Sequence, residues 1–208
     1  MYVLLLEKAF AKFAGNYEAL NGGHSSLAWM VMTGCEDLRV YKQKPDEDGW
    51  FLGEVAKERF RDKPVFEAGL AYYNSNTAIE HDAMWEKLKE FDEANFIMSC
   101  SISGNVIEKE RTDGLVERHA YALITATDVG EFRMVCARNP WGNSKEWNGA
   151  WSDTDAKWEE HPEVKEALGH EQRDDGLFWI EWEDFKATFT NVEVCAKTMP
   201  TKRATHDK

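Results

Sequence analysis

The sequence predicts an α+β fold, with helices on the N-terminal side followed by twisted antiparallel β-sheets. Three observations predict it. Residues 3–14 carry apolar side chains at helical spacing. Residues 96–197 contain several short runs rich in β-branched and aromatic residues. Between these, Thr77-x-x-Glu80 has the form of a capping box that opens a second helix. At 208 residues and 43% hydrophobic content the chain can build one generous core, so residues 1–208 are read as a single domain ending in a charged flexible tail at 202–208.

In the first helix Leu6, Ala9, Phe10 and Phe13 share one face, and Gly15 can supply the left-handed stop. Asn21-Gly22-Gly23 reads as a turn, and residues 27–43 as a strand or two. Pro45, Asp46 and Gly49 punctuate residues 44–76, which read as loop with short elements. The capping box should open a helix to about residue 93 with His81, Met84, Trp85, Leu88 and Phe91 on its inner stripe. Strands are expected at 96–103, 119–127, 131–138, 177–182 and 192–197, with Asp128-Val129-Gly130 turning the second into the third. Pro162 should start a short helix reaching residue 168.

Charge narrows the classes of function. Lys and Arg number 25 against 38 Asp and Glu, a net charge of −13. That balance disfavours nucleic acid and anionic membrane as partners, because like charges repel. It leaves carboxylates for a cation such as calcium, although a solvated surface is the commoner use of such residues. The four cysteines, at 35, 100, 136 and 195, form no CxxC and have no zinc spacing, which suits buried free thiols. Residues 2–6 are apolar but run into Glu7-Lys8, so neither a signal peptide nor a membrane span is expected and the cytoplasm is the default. The nine tryptophans suggest core or a cleft wall.

Two segments carry chemistry: Arg118-His119-Ala120-Tyr121 and Arg138-Asn139-Pro140-Trp141-Gly142. A histidine opens one expected strand and an asparagine closes the next. Antiparallel pairing then places them side by side, as a base and the group that orients its ring must be. Trp141 can cover the pair and exclude water. Read alone, a histidine at a strand start is more often structural, and Asn-Pro-Trp-Gly more often a plain turn.

The series continues with Glu146-Trp147, Gly149-Ala150-Trp151-Ser152-Asp153, Asp175-Gly176-x-Phe178-Trp179 and Asp184-Phe185, and is preceded by Leu5-Leu6-Glu7-Lys8-Ala9, Tyr17-Glu18-Ala19-Leu20-x-Gly22-Gly23 and Cys100-Ser101-Ile102. In order and spacing this resembles the second half of the calpain protease core. It covers most of the chain and is weakest between residues 36 and 76. The resemblance implies a papain-like core in two lobes, with the nucleophilic cysteine on a lobe that precedes this one. His119 and Asn139 then act as base and orienter in hydrolysis of internal peptide bonds of protein substrates. The family's nucleophile motif, Gln-x-x-x-Gly-Asp-Cys-Trp, is absent here. On that resemblance the chain starts at the lobe boundary, needs the nucleophile-bearing lobe of its parent as partner, and is inactive alone.

The resemblance also implies weak calcium binding, through Glu146, Asp153, Asp175 and the carbonyl of Arg173. Calcium takes about six to eight oxygens. Leu177 stands where the family offers a further Glu, the loop from Trp141 to Trp147 is longer than usual, and Asp174 is a possible substitute ligand. A second departure is Arg118, at a position where the family has Gly. If the backbone there needs a positive φ, Arg is costly. The competing reading is a degenerate calpain-like domain with a regulatory or binding role.

Overall fold

The computed structural model describes residues 2–20, 23–55, 72–142 and 145–200. Asn21 and Gly22 of the expected turn, and the expected tail at 202–208, lie outside them. The described residues form an α+β fold of six helices, an eight-stranded sheet and a separate two-stranded ribbon.

Helix α1 (Tyr2–Ala14) forms where its periodicity predicts, but its apolar face is not buried as expected. Val3, Leu4, Leu5, Leu6 and Phe13 are 44–68% exposed. Helix α2 (Ser25–Thr33) replaces the strand expected from residue 27. Its apolar run suits either state, and tertiary contact decides: the Ser26 N–H at the helix start donates to Glu193 at 2.8 Å, and Gly34, at φ +66, closes the helix with an N–H to Met30.

Strand β1 (Leu38–Lys44) lies where the second half of residues 27–43 was expected to be strand, and with β2 (Glu47–Val55) and β3 (Tyr72–Ile79) it forms a meander that continues through the segment read as loop. Thr77 lies in β3, so it opens no capping box. Helix α3 (His81–Glu93) starts after Glu80, which makes no side-chain capping bond. The β2–β3 ladder, with Trp50 opposite Ile79, claims the residues that local chemistry assigns to a cap. His81 leaves the inner stripe to accept from Trp50 Nε1 at 3.2 Å, while Met84, Trp85, Leu88 and Phe91 are buried as expected.

The later strands of the main sheet follow the sequence closely, and a short ribbon that the sequence does not foretell lies among them. They are β4 (Ile97–Ser101), the ribbon β5 (Lys109–Glu110) and β6 (Val116–Glu117), β7 (Ala120–Val129) and β8 (Phe132–Arg138). Short helices α4 (Lys157–Glu160) and α5 (Pro162–Leu168) come next, then β9 (Leu177–Glu181), α6 (Trp182–Thr188) and β10 (Asn191–Cys195). Helices thus occur late as well as early, and strands early as well as late.

The sheet order is β3-β2-β1-β10-β4-β7-β8-β9, each neighbouring pair antiparallel. The period of two along β8 feeds two cores. Val135 and Ala137 join Trp85, Leu88, Tyr121 and Phe178 on the α3 face, and Met134 and Cys136 join Trp151, Trp158 and Trp179 on the other. Most of the tryptophans are therefore core, each contributing on the order of 2–3 kcal/mol by leaving water. No helix among the described residues is long and apolar enough to cross a membrane.

Candidate active site and acidic cavity

His119 immediately precedes β7 and Asn139 immediately follows β8. Pairing of Ala122 with Arg138 brings the two ends of the hairpin together. Two backbone bonds fix those ends: Arg118 N–H donates to Ile102 at 2.8 Å, and Asn139 N–H to Gly176 at 2.7 Å. Gly176 must be glycine, because its φ is +86 and a Cβ would lie 2.3 Å from the Asn139 carbonyl.

His119 Nε2 lies 2.8 Å from Asn139 Oδ1. The amide orientation is over-determined. Asn139 Nδ2 donates to the Lys145 carbonyl at 2.8 Å, and Oδ1 also accepts from Trp141 N–H at 3.1 Å. With Oδ1 an acceptor, Nε2 is the donor, and the lone pair of a neutral ring is left at Nδ1. The ring sits 4.4 Å from Trp141 and edge-on to Tyr121 at 5.1 Å. Tyr121 is itself pinned, its hydroxyl accepting from Val116 N–H at 2.8 Å. His119 is 8% exposed and Asn139 fully buried, while Trp141 remains 40% exposed beside them.

Two residues beside His119 take a left-handed backbone that the strand pattern does not foretell. Glu108 sits 3.8 Å from Nδ1 and has a φ of +53, and nothing in its local sequence marks it. Arg118 has a φ of +50, the left-handed conformation in which its departure from the family pattern becomes costly. For a residue with a Cβ that conformation costs about 1–2 kcal/mol. A cleft of about 480 Å³ opens in front, lined by Arg118, His119, Ile107, Lys42, His24 and Glu193. Burial pushes Glu193 up, but the bonds from His24 and Ser26 outweigh it and hold the carboxyl below its ordinary range.

The cysteines are free and buried. Cys100 also borders the cleft, but its side chain belongs to the core and burial drives its pKa far up. Burial likewise raises Cys136, and pushes Cys195 up to about 11. A thiol in such surroundings stays protonated and is a poor nucleophile.

The residues implied as calcium ligands are only partly gathered. Glu146, Asp153 and Arg173 line a second cavity, of about 490 Å³, together with Asp174, whereas Asp175 does not face it. Each carboxylate is held by a backbone amide: Glu146 by Gly176 at 2.7 Å, Asp153 by Arg173 at 3.0 Å and Asp175 by Leu177 at 3.0 Å. Among the described residues no three His, Cys, Asp or Glu side chains form a compact metal-holding group. Burial pushes Glu146 up to about 7, and Asp153, Asp175 and Asp174 add repulsion that the Gly176 amide only partly offsets. Burial raises Asp153 as well. Carboxylates so disfavoured in their charged form are chemically suited to a hard cation, but their geometry is incomplete.

Comparison with known proteins agrees with this geometry. A model of the calpain family cysteine proteases matches residues 1–196. Calpain-A of Drosophila melanogaster is 35% identical over 92% of the chain, and the calpain-type cysteine protease DEK1 of Arabidopsis thaliana is 31% identical over 94%. The calpain-type cysteine protease ADL1 of rice, Oryza sativa subsp. japonica, is 28% identical over 98%. The chain spans 20% of the length of the first of these relatives and 8% of the other two. On sequence and architecture together, the chain belongs to the calpain family of cysteine proteases.

Proposed function

We propose that this chain is the His/Asn-bearing lobe of a calpain-type cysteine endopeptidase, and that it works only with a nucleophile-bearing lobe supplied elsewhere in its parent protein. The observation that carries the reading is the 2.8 Å contact of His119 Nε2 with an Asn139 amide whose orientation is fixed at both ends. It leaves Nδ1, with Glu108 at 3.8 Å, to act as the base of a residue that lines the cleft. A cysteine thiol brought there gives its proton to Nδ1 and attacks the peptide carbonyl. His119 then returns the proton to the leaving amine, and Asn139 keeps the ring in plane throughout. The exposed apolar side chains of α1 and the exposed Trp141 suit a lobe that docks on another. The buried free thiols suit a reducing, cytoplasmic setting.

Calcium is the second part of the reading. Glu146 and Asp153, with the Arg173 carbonyl and Asp174 beside them, would hold the ion, and Asp175 would need to turn toward it. With the family's extra carboxylate replaced by Leu177, binding is weak. Bound calcium would supply charge neutralisation that draws the two acidic loops together.

The regulatory alternative is favoured by one observation, the strained Arg118 beside His119. The test is turnover of a fluorogenic peptide. The 208-residue chain alone should give none, with or without calcium. Adding the parent's nucleophile-bearing lobe should restore turnover, and His119→Ala should remove it. Turnover by the chain alone that vanishes in His119→Ala would mean that a nucleophile lies within it. No turnover with both lobes present would favour the regulatory role.

A further inference from the structure

We infer that Arg118 selects substrates, binding an acidic side chain of the peptide next to the bond that His119 serves; the inference rests on the protease reading above. Arg118 adjoins His119 in sequence and lines the same cleft. Its left-handed backbone is held in place by the N–H bond to Ile102. A bulky residue kept in a conformation that suits glycine points to a use for its side chain.

The surrounding charges fit an acidic ligand. Arg118 is exposed and has no ion-pair partner among the described residues, in a protein where most neighbouring cations are paired. Its sequence neighbour Glu117 faces Lys109 instead, at 3.6 Å. Lys42 and His24 line the cleft with it, and the cleft's own Glu193 is already held by His24 and the Ser26 amide. Glu108 lies against His119 Nδ1. The local cation is thus open to a carboxylate, and the planar guanidinium can take one through two parallel bonds. Because the whole chain carries −13, a preference for acidic peptides must come from this local arrangement and not from the overall field.

The experiment titrates the chain with two fluorescein-labelled peptides that differ only by Glu or Gln at one position, read by anisotropy at low salt. The Glu peptide should bind about fivefold more tightly, as an exposed ion pair allows. The ratio should fall toward one in Arg118→Gly, stay intermediate in Arg118→Lys, and shrink in about 0.5 M salt. Equal binding of the two peptides, no binding of either, or a ratio unchanged in Arg118→Gly would overturn the inference. Turnover of the same pair with the nucleophile-bearing lobe present separates the two readings. Turnover without Glu preference sinks this inference alone, and Glu-selective binding without turnover sinks the protease reading alone.

Discussion

Two polar clusters on this molecule, both singled out by the family resemblance, are held together to different degrees. At the His119–Asn139 pair both side-chain atoms of Asn139 have bonded partners at 2.8 to 3.1 Å. At the acidic cavity Glu146 and Asp153 line a space that Asp175 does not, and burial raises the pKa values of the first two. The first site is assembled from neutral dipoles that satisfy one another, so the fold alone holds it. The second is assembled from like charges, which repel until a cation joins them. Whether the fold alone holds a polar cluster together can therefore be read from where its polar atoms find their partners.

Mutation at the pair should give the largest effects. With the nucleophile-bearing lobe present, His119→Ala should lower kcat at least about a thousandfold, because no other group can take the thiol proton. Asn139→Ala should lower it less, since the ring keeps its packing against Trp141 and Tyr121. It should also destabilise the fold by about 2 kcal/mol in a denaturant titration, because His119 Nε2–H and Trp141 N–H lose their acceptor. An Asn139→Ala variant as stable as the parent would break the claim that this site is held by its own bonds.

The acidic cavity should respond to ligand. Calcium at tenfold its dissociation constant should stabilise the fold by about 1.4 kcal/mol, a rise in Tm of roughly 3–5 °C. Asp153→Ala should abolish the rise. If the melt does not move at millimolar calcium, the cavity has lost its cation and the contrast between the two sites becomes permanent.

A smaller effect compares two glutamates. Glu193 has partners and is held below its ordinary range, whereas Glu146 is pushed above it. The folded pKa of Glu193 lies below the unfolded one, so its contribution is present above about pH 4.5 and is lost as pH falls through the folded value. Glu193→Gln should therefore lower stability at neutral pH by about 1 kcal/mol and flatten the acid limb of a stability-versus-pH curve. An acid limb unchanged in the variant would show that Glu193 is not the carboxylate responsible.

The smallest effect is at Arg118. Replacing it by glycine relieves the left-handed strain but adds unfolded-state entropy, so the net gain should be no more than about 1 kcal/mol. A loss of stability would mean that the Arg118 side chain supports the fold as well as facing the cleft.

Pattern and tertiary context divide the molecule unevenly. The main-sheet strands from β4 onward, the α3 stripe apart from His81, and the 162–168 helix were legible because their periodicity, turn residues and proline agree with the final fold, whereas the β5–β6 ribbon and α6 were not expected. The closeness of His119 and Asn139 was legible too, because a hairpin turned at Gly130 admits only that juxtaposition of strand ends. Residues 27–33, 47–55 and 72–79, unlike the strand at 38–44, were not. Their local signals are weak or ambiguous, and a carboxylate from residue 193 and a ladder to Trp50 decide them from a distance.

What the sequence determined by itself is the α+β class and the family, since each depends on residue types at fixed spacing; it also singled out the two residues to which the proposed function gives the roles of base and orienter. Only the tertiary structure decided that Glu108 lies against Nδ1, that Arg118 takes a left-handed backbone, that Asp175 does not line the cavity shared by Glu146 and Asp153, and that Val3, Leu4, Leu5 and Leu6 of α1 are exposed. These depend on backbone dihedrals and on contacts between residues far apart in the chain, and local spacing does not encode them.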